Sequence, residues 1–232
     1  MNYKLYKEEN FHTGRWSGGE TKELAIFPGE ASYGERNFIW RLSLATGEQE
    51  VSAFTSLPHY DRVLVVLEGD TVLAYEGQRV IRLKELEQDR FDGGFSTKSF
   101  GKTKDYNLMV RKGGAGYLDV LELTEERQVP EREPSEGKAH SWQAFYCHEG
   151  CGVVTFGEER QVVRPGEQLV IYSDAGEETP VDVMGEGVLI RAQIFHDDLV
   201  LPAEDIAGEK GFWANLAARL RAAIGSASET GL

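Results

Sequence analysis

The sequence has few cysteines, a minority of basic residues and no long apolar run. Two cysteines among 232 residues cannot build a disulfide framework. Lys and Arg number 25 against 39 Asp and Glu, a net charge of −14, so a broad basic face for nucleic acid or anionic lipid is not expected. The longest apolar run, residues 63–67, is far shorter than the roughly 20 residues of a membrane span. We therefore expect no nucleic-acid partner and no membrane partner.

The chain start also lacks the apolar segment of a secretory signal. Met1 is followed by Asn-Tyr-Lys-Leu-Tyr-Lys-Glu-Glu, in which no hydrophobic stretch forms. We therefore expect a cytoplasmic location. Apolar residues are nevertheless plentiful: 41% of the chain is hydrophobic, and it holds 4 Trp, 9 Tyr and 11 Phe. This composition is typical of a globular protein with a packed core.

Apolar residues come in short bursts with a period of two, or in short runs separated by turn signals. Residues 38–44 alternate, which places Phe38, Trp40 and Leu42 on one face of a predicted strand. Turns such as Glu-Gly-Asp at 68–70 separate these segments. Many short strands with frequent turns predict an all-β sandwich or barrel rather than βαβ units.

One strand-and-turn pattern occurs twice. Residues 66–69 and 77–82 match residues 146–150 and 160–164, with the Glu-Gly pairs 81 positions apart and the later blocks 82 apart. The second copy continues into an Arg-Pro-Gly-Glu turn and an apolar strand, which resembles the closing block of a cupin barrel. A repeat of this length indicates a duplicated β unit. We predict a bicupin over residues 1–196, with two jelly-roll-like β-barrel halves at about 11–120 and 121–196.

The pattern changes after Pro202. Apolar residues there fall at helical spacing: Phe212, Trp213, Leu216, Leu220 and Ile224. We predict a C-terminal α-helix within residues 203–224, followed by a flexible tail at 225–232. Such a helix would pack on the sheet or on a second subunit, so a homodimer is a candidate assembly.

The residues that cupins use to hold a metal are missing. The sequence has five histidines and no His-x-His pair. Residues 147–151, Cys-His-Glu-Gly-Cys, straddle a predicted turn and have no second ligand pair, so we interpret Cys147 and Cys151 as core thiols. A Gly-x-Ser-x-Gly elbow is also missing. We expect no metal and no other cofactor.

Arginines do occur inside otherwise apolar strands. Arg41 shares a strand face with Ser43, Arg62 opens the most apolar strand, and Arg111 shares a face with Asn107 and Met109. An unpaired guanidinium group is costly to bury, and it is well suited to a bidentate grip on a carboxylate. These arginines therefore either form internal ion pairs or line a wet cavity, and the sequence favours neither.

Five ordered blocks between residues 11 and 111 resemble the HutD/Ves family. They are Arg-Trp-Ser-Gly-Gly-Glu-Thr-Lys-Glu-Leu-Ala at 15–25, Trp-Arg-Leu-Ser at 40–43, Phe-Thr-Ser-Leu-Pro-His-Tyr-Asp-Arg at 54–62, Leu-Glu-Gly at 67–69, and Asp-Gly at 92–93 with Asp-Tyr-Asn-Leu-Met-Val-Arg at 105–111. The last block is similar to that family's Asp-Phe-Asn-x-Met motif. The second half extends the match loosely to about residue 196.

The resemblance implies a bicupin without the usual metal ligands and an association with histidine utilisation. It also implies binding of a pathway acid such as formylglutamate, with no established enzymatic activity. The matching blocks would surround the mouth of the first barrel with Trp16, Thr21, Glu23, Arg41, Arg62, Asn107 and Met109. Two departures, Ser17 in place of Asn and His59-Tyr60 in place of a small residue, mean that the ligand can differ from that of a typical member.

We favour a non-enzymatic protein that binds a small anionic metabolite. Arg41 and Arg62, with Ser43 beside them, would hold a carboxylate. Asn107 would hold an amide or formyl group, and Trp16 would cap the pocket.

Two other functions stay open. One is a metal-independent cupin isomerase or hydrolase acting on a small acid, with His59 or Glu23 as general base. The other is a structural protein whose Phe212/Trp213 helix engages a partner. Loss of turnover on changing His59 and Glu23 would favour the enzyme, and the assembly state of a chain ending at Pro202 would test the structural role.

Overall fold

The computed structural model describes residues 2–135, 137–174 and 180–200. Apart from one 3-10 turn at Glu8–Asn10, the regular structure of these residues is all strand. The strands are β1 (Asn2–Tyr6), β2 (His12–Trp16), β3 (Gly19–Phe27), β4 (Trp40–Gly47), β5 (Val51–Ala53), β6 (Tyr60–Glu68), β7 (Thr71–Tyr75), β8 (Arg79–Leu83), β9 (Gln88–Asp92), β10 (Thr97–Phe100), β11 (Lys104–Arg111), β12 (Ala115–Leu123), β13 (His140–Phe156), β14 (Glu159–Val163), β15 (Gln168–Asp174) and β16 (Val181–His196). The all-β prediction is confirmed.

The predicted C-terminal helix at 203–224 and the tail at 225–232 lie outside the described residues. Both stay predictions. Among the residues that the structure does describe, no helix has the length and apolarity that a bilayer crossing requires.

Residues 12–111, called the first half below, form two facing sheets. The larger sheet has the strand order β2-β3-β4-β11-β6-β9, and the smaller has the order β5-β10-β7-β8. All pairs within them are antiparallel. Leu64 and Val66 of the larger sheet pack against Leu73 and Tyr75 of the smaller one, which closes one end of the space between them.

β1 and residues 115–196, called the second half, share a third sheet. Its order is β1-β15-β13-β16-β12, with β14 paired to the far end of β13. β13 and β16 run for 17 and 16 residues, and a bulge interrupts their pairing between Cys147 and Glu149. Gly150 sits at the bulge with φ +73°, and a Cβ there would lie 2.0 Å from the Glu186 carbonyl oxygen, so only glycine fits.

The predicted barrel closure is wrong for the described residues. The first half is a sandwich of two separately hydrogen-bonded sheets, and the second half is one open sheet with a bulge in the pairing of its two longest strands. Bulges and glycines bend a sheet without joining its edge strands, which explains why a cupin-like strand order does not require a closed ring of hydrogen bonds. β12, which begins at Ala115, pairs with β16 and so belongs to the sheet of the second half. The predicted division into domains stays a prediction.

The two larger sheets pack back to back over the main apolar core. Trp40, Leu42 and Val65 from the first half meet Trp142 and Ile190 from the second. β6 has a buried cluster on each side, since its odd-numbered residues face this core and its even-numbered ones face the interior of the first half. Burial on both sides explains the unbroken apolar run at 63–67. Each large apolar side chain buried here contributes about 1.5–3 kcal/mol.

The repeated unit has the same hydrogen bonds in both halves. The Val66 N–H donates to the Glu87 carbonyl oxygen at 3.0 Å, and the Cys147 N–H donates to the Glu167 carbonyl oxygen at 3.1 Å. Each unit then ends in a turn whose glutamate accepts from a backbone N–H three residues earlier. The duplicated hairpin inferred from the sequence is therefore present in the structure.

The register of that repeat differs from the sequence match in its later block. The two turns place Lys84 opposite Arg164, an offset of 80, whereas the sequence match placed Arg82 opposite Arg164. Arg82 and Arg164 are both exposed, so their being the same residue type does not reflect an equivalent packed position. The buried ends of β8 and β14, Leu83 and Val163, are the residues that correspond.

Candidate ligand-binding site

A cavity of about 90 Å³ lies between the two sheets of the first half. Its floor is the larger sheet, and Ser99 of β10 with the loops around Phe54 and Thr103 completes the wall. Seven of the nine residues predicted from the sequence line it: Trp16, Thr21, Arg41, Ser43, Arg62, Asn107 and Met109. Glu23 and His59 do not.

Strand register explains why the polar side chains converge. β11 lies between β4 and β6, and Met109 pairs with Arg41 on one side and Arg62 on the other. Asn107 likewise lies beside Ser43, one step further along the same face. Because side chains alternate across a strand, these residues point into the first half while their neighbours point into the core between the sheets.

Arg41 forms an internal ion pair. Its Nε donates to Glu23 Oε2 at 2.6 Å, its Nη1 donates to Ser43 Oγ at 2.9 Å, and its guanidinium stacks 4.6 Å from the centre of the Tyr33 ring. The Arg41 side chain is 5% exposed. The sequence left open whether these arginines form internal ion pairs or line a cavity. Arg41 does both, since it forms an ion pair with Glu23 and also lines the cavity.

Arg62 has no carboxylate partner among the described residues. Its Nη2 donates to Asn107 Oδ1 at 3.2 Å, and its Nε is buried without a hydrogen-bond partner. The guanidinium lies 4.9 Å from the Phe54 ring centre and 5.1 Å from that of Phe91. Burial lowers the pKa of Arg62 to about 10, so the group is still charged at neutral pH. A buried cation with a free donor at a cavity is suited to receive an anion.

Asp105 lies on the same cavity wall. Its Oδ2 accepts a hydrogen bond from Thr103 Oγ1 at 3.1 Å, while its Oδ1 is buried without a partner in the described part of the chain. Burial raises the pKa of Asp105 to about 7, against the lowering effects of the Thr103 hydrogen bond and the Arg62 charge. Two side chains that line the cavity therefore each have a buried atom without a partner in the described residues, a donor on Arg62 and an acceptor on Asp105.

Trp16 and Thr21 sit at one side of the cavity on the β2–β3 hairpin. Trp16 Nε1 donates to the Glu20 carbonyl oxygen at 3.3 Å, and Thr21 Oγ1 donates to the Leu44 carbonyl oxygen at 3.0 Å. A Cβ at Gly18 would lie 2.3 Å from the Trp16 ring. The Gly-Gly pair of the sequence motif therefore lets the indole fold back over its own turn.

The two residues nominated as a general base lie elsewhere. His59 is exposed on the turn before β6, and its backbone oxygen accepts from the Lys112 N–H at 2.9 Å. Glu23 is bound by Arg41 and is not among the residues that line the cavity. Neither nominated side chain therefore lines the space proposed for an acid.

Sequence reasoning missed four lining residues that contribute chemistry: Tyr33, Phe54, Thr103 and Asp105. Phe54 and Asp105 each stand inside a block that carried the family resemblance, so position within a motif was a usable signal. Asp105 also has the sequence parity of Asn107 and Met109, which shows that it shares their strand face. Tyr33 lies on a loop, where periodicity gives no information.

The cavity does not fit a metal ion. No group of three or more His, Cys, Asp or Glu side chains comes together within residues 2–135, 137–174 and 180–200. Two guanidinium groups line the same space and would repel a cation. The donor set of this cavity suits an organic acid instead.

Comparison with known proteins identifies the family. A family profile for HutD matches residues 8–190, most of the chain. The chain belongs to the HutD family. The resemblance read from the five sequence blocks is thereby confirmed. No curated protein sequence matches this HutD chain.

Solved structures agree on the fold. A conserved protein of unknown function from Pseudomonas aeruginosa superposes with a TM-score of 0.70 at 18% identity, over 84% of this chain and 98% of that chain. HutD from Pseudomonas fluorescens gives 0.63 at 22%, over 84% and 98%. Oxalate decarboxylase from Bacillus subtilis gives 0.54 at 10%, over 84% and 77%. At these identities the likeness shows a cupin-like fold alone.

Proposed function

We propose that this HutD-family protein binds a small carboxylic acid in the cavity of its first half, without catalysing a reaction. The observation that carries the proposal is Arg62, a 7% exposed arginine with a free Nε and no carboxylate partner in the described residues. Leaving a buried guanidinium unpaired costs stability, and a bound carboxylate would supply the missing partner.

The neighbours of Arg62 support a carboxylate at this place. Asn107 holds the guanidinium in position from one side, and the Phe54 and Phe91 rings support it from the others. Arg41 adds a second positive group to the lining, although Glu23 already neutralises it. Within the described residues, the cavity of the first half is therefore lined by a buried cationic group that has no carboxylate partner.

Family membership supplies the biological setting of the proposal. Since HutD proteins are associated with histidine utilisation, the acid would be an intermediate of that pathway, of which formylglutamate is the expected example. In this proposal the protein acts as a regulator whose bound state reports the level of the acid in the cytoplasm.

The two general bases nominated from the sequence do not line the cavity. A general base must lie within hydrogen-bond reach of the proton it removes. His59 is exposed on an outer turn and Glu23 is engaged by Arg41, so neither of the nominated bases meets that requirement. Turnover of any bound acid by the wild-type protein would overturn the non-enzymatic part of the proposal.

Thermal-shift and calorimetric titration with formylglutamate, urocanate and histidine test the binding. We expect at least one anionic metabolite to raise Tm in a concentration-dependent way, and Arg62→Gln to weaken its affinity by about 100-fold, since a hydrogen bond to a charged group contributes about 1.5–3 kcal/mol. Arg82→Gln, an exposed arginine of the same half, is the matched control. No stabilisation by any acid, or an unchanged affinity in Arg62→Gln, would overturn the proposal.

A further inference from the structure

We propose that Asp105 is a second recognition residue of the same cavity, and that the ligand is a carboxylic acid bearing a nitrogen donor, such as a free or substituted amino group. The inference rests on the proposed function, because it assumes that an acid occupies the cavity. It goes further by naming a second chemical group that the ligand must bear in addition to its carboxylate.

Asp105 and Arg62 face one space from neighbouring strands. On β11, Asp105 and Asn107 are successive residues on one face, and Asn107 Oδ1 already touches the Arg62 guanidinium at 3.2 Å. The polar groups along this wall therefore follow the order guanidinium, amide, carboxyl. Same-face neighbours on a strand are about 7 Å apart, which a molecule of a few carbons spans.

Both ends of this row have an unused hydrogen-bonding atom. Arg62 Nε and Asp105 Oδ1 are each buried without a partner in the described ranges. Buried polar atoms are normally hydrogen-bonded, because an unsatisfied one costs about 1–3 kcal/mol. Both side chains line one small cavity, and their unpaired atoms of opposite character match a ligand that has an acceptor at one end and a donor at the other.

Asp105 is balanced between its neutral and ionised forms. Burial disfavours the ionised carboxylate and raises its pKa to about 7, whereas the hydrogen bond from Thr103 Oγ1 to Oδ2 and the charge of Arg62 favour it. The other charged group of this lining is Arg41 on β4, which is neutralised by Glu23 outside the lining. A nitrogen donor on the ligand would form a hydrogen bond with Asp105 Oδ1 and so stabilise the ionised carboxylate.

An acid without a donor would bind less well for a physical reason. Its carboxylate on Arg62 would bring negative charge towards Asp105, and Oδ1 would stay desolvated and unpaired. Such an acid would require Asp105 to take up a proton. A ligand with a nitrogen donor would instead make Asp105 release its proton. Binding of the two kinds of acid therefore moves protons in opposite directions.

The experiment uses pairs of acids that differ only in the amino group: glutamate against glutarate, and aspartate against succinate. Isothermal titration calorimetry at pH 7 in two buffers of different ionisation enthalpy gives both the affinity and the number of protons exchanged. We expect the amino-bearing member to bind at least about tenfold more tightly, with proton release. Asp105→Asn should reduce this preference to below about twofold and abolish the proton exchange. Asp70→Asn, an exposed acid of the same half, should change neither.

The outcomes separate this inference from the proposed function. If both members of a pair bind equally, need Arg62 and release no proton, the acid site stands and the role of Asp105 is overturned. Proton uptake with a preference for the acid lacking nitrogen overturns it as well. If no acid binds the wild-type protein, both proposals fail. The proton count comes from the wild-type chain, so the test does not depend on the folding of Asp105→Asn.

Discussion

Both halves of this protein bury arginines inside a sheet, and Arg191 of the second half and Arg62 of the first half differ in their partners. In the second half, Arg191 Nε donates to Asp119 Oδ2 at 2.8 Å, and Gln193 Nε2 donates to the same oxygen at 3.1 Å. The Glu131 carbonyl oxygen accepts from Arg191 as well. In the first half, Arg62 has only the Asn107 amide as a hydrogen-bond partner in the described residues. One guanidinium is neutralised by its own chain, and the other is left for an outside partner.

Strand pairing shows how close the two arrangements are. β4, β11 and β6 of the first half correspond to β12, β16 and β13 of the second. Arg191 pairs with Asp119 at the position where Asn107 pairs with Ser43. The second half thus has a carboxylate where the first half has only a hydroxyl. Where the first half has Asp105, the second has Leu189, which packs in an apolar cluster. Similar scaffolds therefore hold an ion-paired arginine in one half and, in the described residues of the other, an arginine without a carboxylate partner at a cavity wall.

The largest change in stability is expected on substituting Arg191, and it tests whether this arginine is a structural part of the second half. Arg191→Met removes the buried ion-pair partner of the half-buried Asp119, and we expect a loss of about 3 kcal/mol in the free energy of unfolding. Urea unfolding monitored by tryptophan fluorescence measures it. Acid binding in the first half should be unchanged in this variant as long as it is folded. A loss below about 0.5 kcal/mol would show that the ion pair of the second half is not a structural element.

The next effect is a pH dependence specific to the first half. Burial raises the pKa of Asp105 to about 7, above its unfolded value near 4, so the folded protein binds the extra proton between these values. The stability contributed by Asp105 is present at low pH and is lost as the pH rises through 7. Asp105→Asn lacks this titration. Relative to wild type, its unfolding free energy should rise by about 2.5 kcal/mol between pH 5 and pH 8. Urea unfolding at a series of pH values measures this difference. If the unfolding free energies of the two proteins change equally with pH, the prediction is contradicted.

A smaller change in stability, opposite in sign to that of Arg191→Met, is expected on substituting Arg62. Arg62→Met removes a buried charge that has no carboxylate, so we expect the unfolding free energy without ligand to rise by about 1 kcal/mol. Thermal unfolding of the ligand-free variant measures the change. The opposite responses of the two arginines to the same substitution are the sharpest test of the comparison. A destabilisation as large as that of Arg191→Met would mean that Arg62 is also structural.

The smallest effects should be alike in the two halves. Glu87→Ala and Glu167→Ala each remove a carboxylate that accepts a backbone N–H within the repeated turn, at 2.8 and 2.9 Å. We expect each variant to lose about 0.5 kcal/mol. Chemical denaturation of both measures it. A difference of more than about 1 kcal/mol between the two would show that the turns are alike in geometry but not in energy.

Much of the candidate site was predictable because its residues lie on regular strands. Arg41, Ser43, Asn107 and Met109 were assigned to faces from alternation alone, and the structure keeps them on those faces. Nothing in the sequence could place His59 relative to the cavity, because it stands on a turn, where no periodicity relates one side chain to another. The barrel closure was wrong for a similar reason, since hydrogen bonding between sheet edges involves strands far apart in sequence.

The sequence by itself determined the strand class, the repeated hairpin, the family and the polar face of the central strands, because all of these depend on local alternation and turn residues. The tertiary structure alone decided which arginine is neutralised. Arg41 is 18 residues from Glu23 and Arg191 is 72 from Asp119, and Arg62 reaches no carboxylate in the described chain. Ion pairing depends on a few ångströms between distant segments, and that distance is set by strand register and sheet packing. The same register brings Arg62 and Asp105 into one cavity.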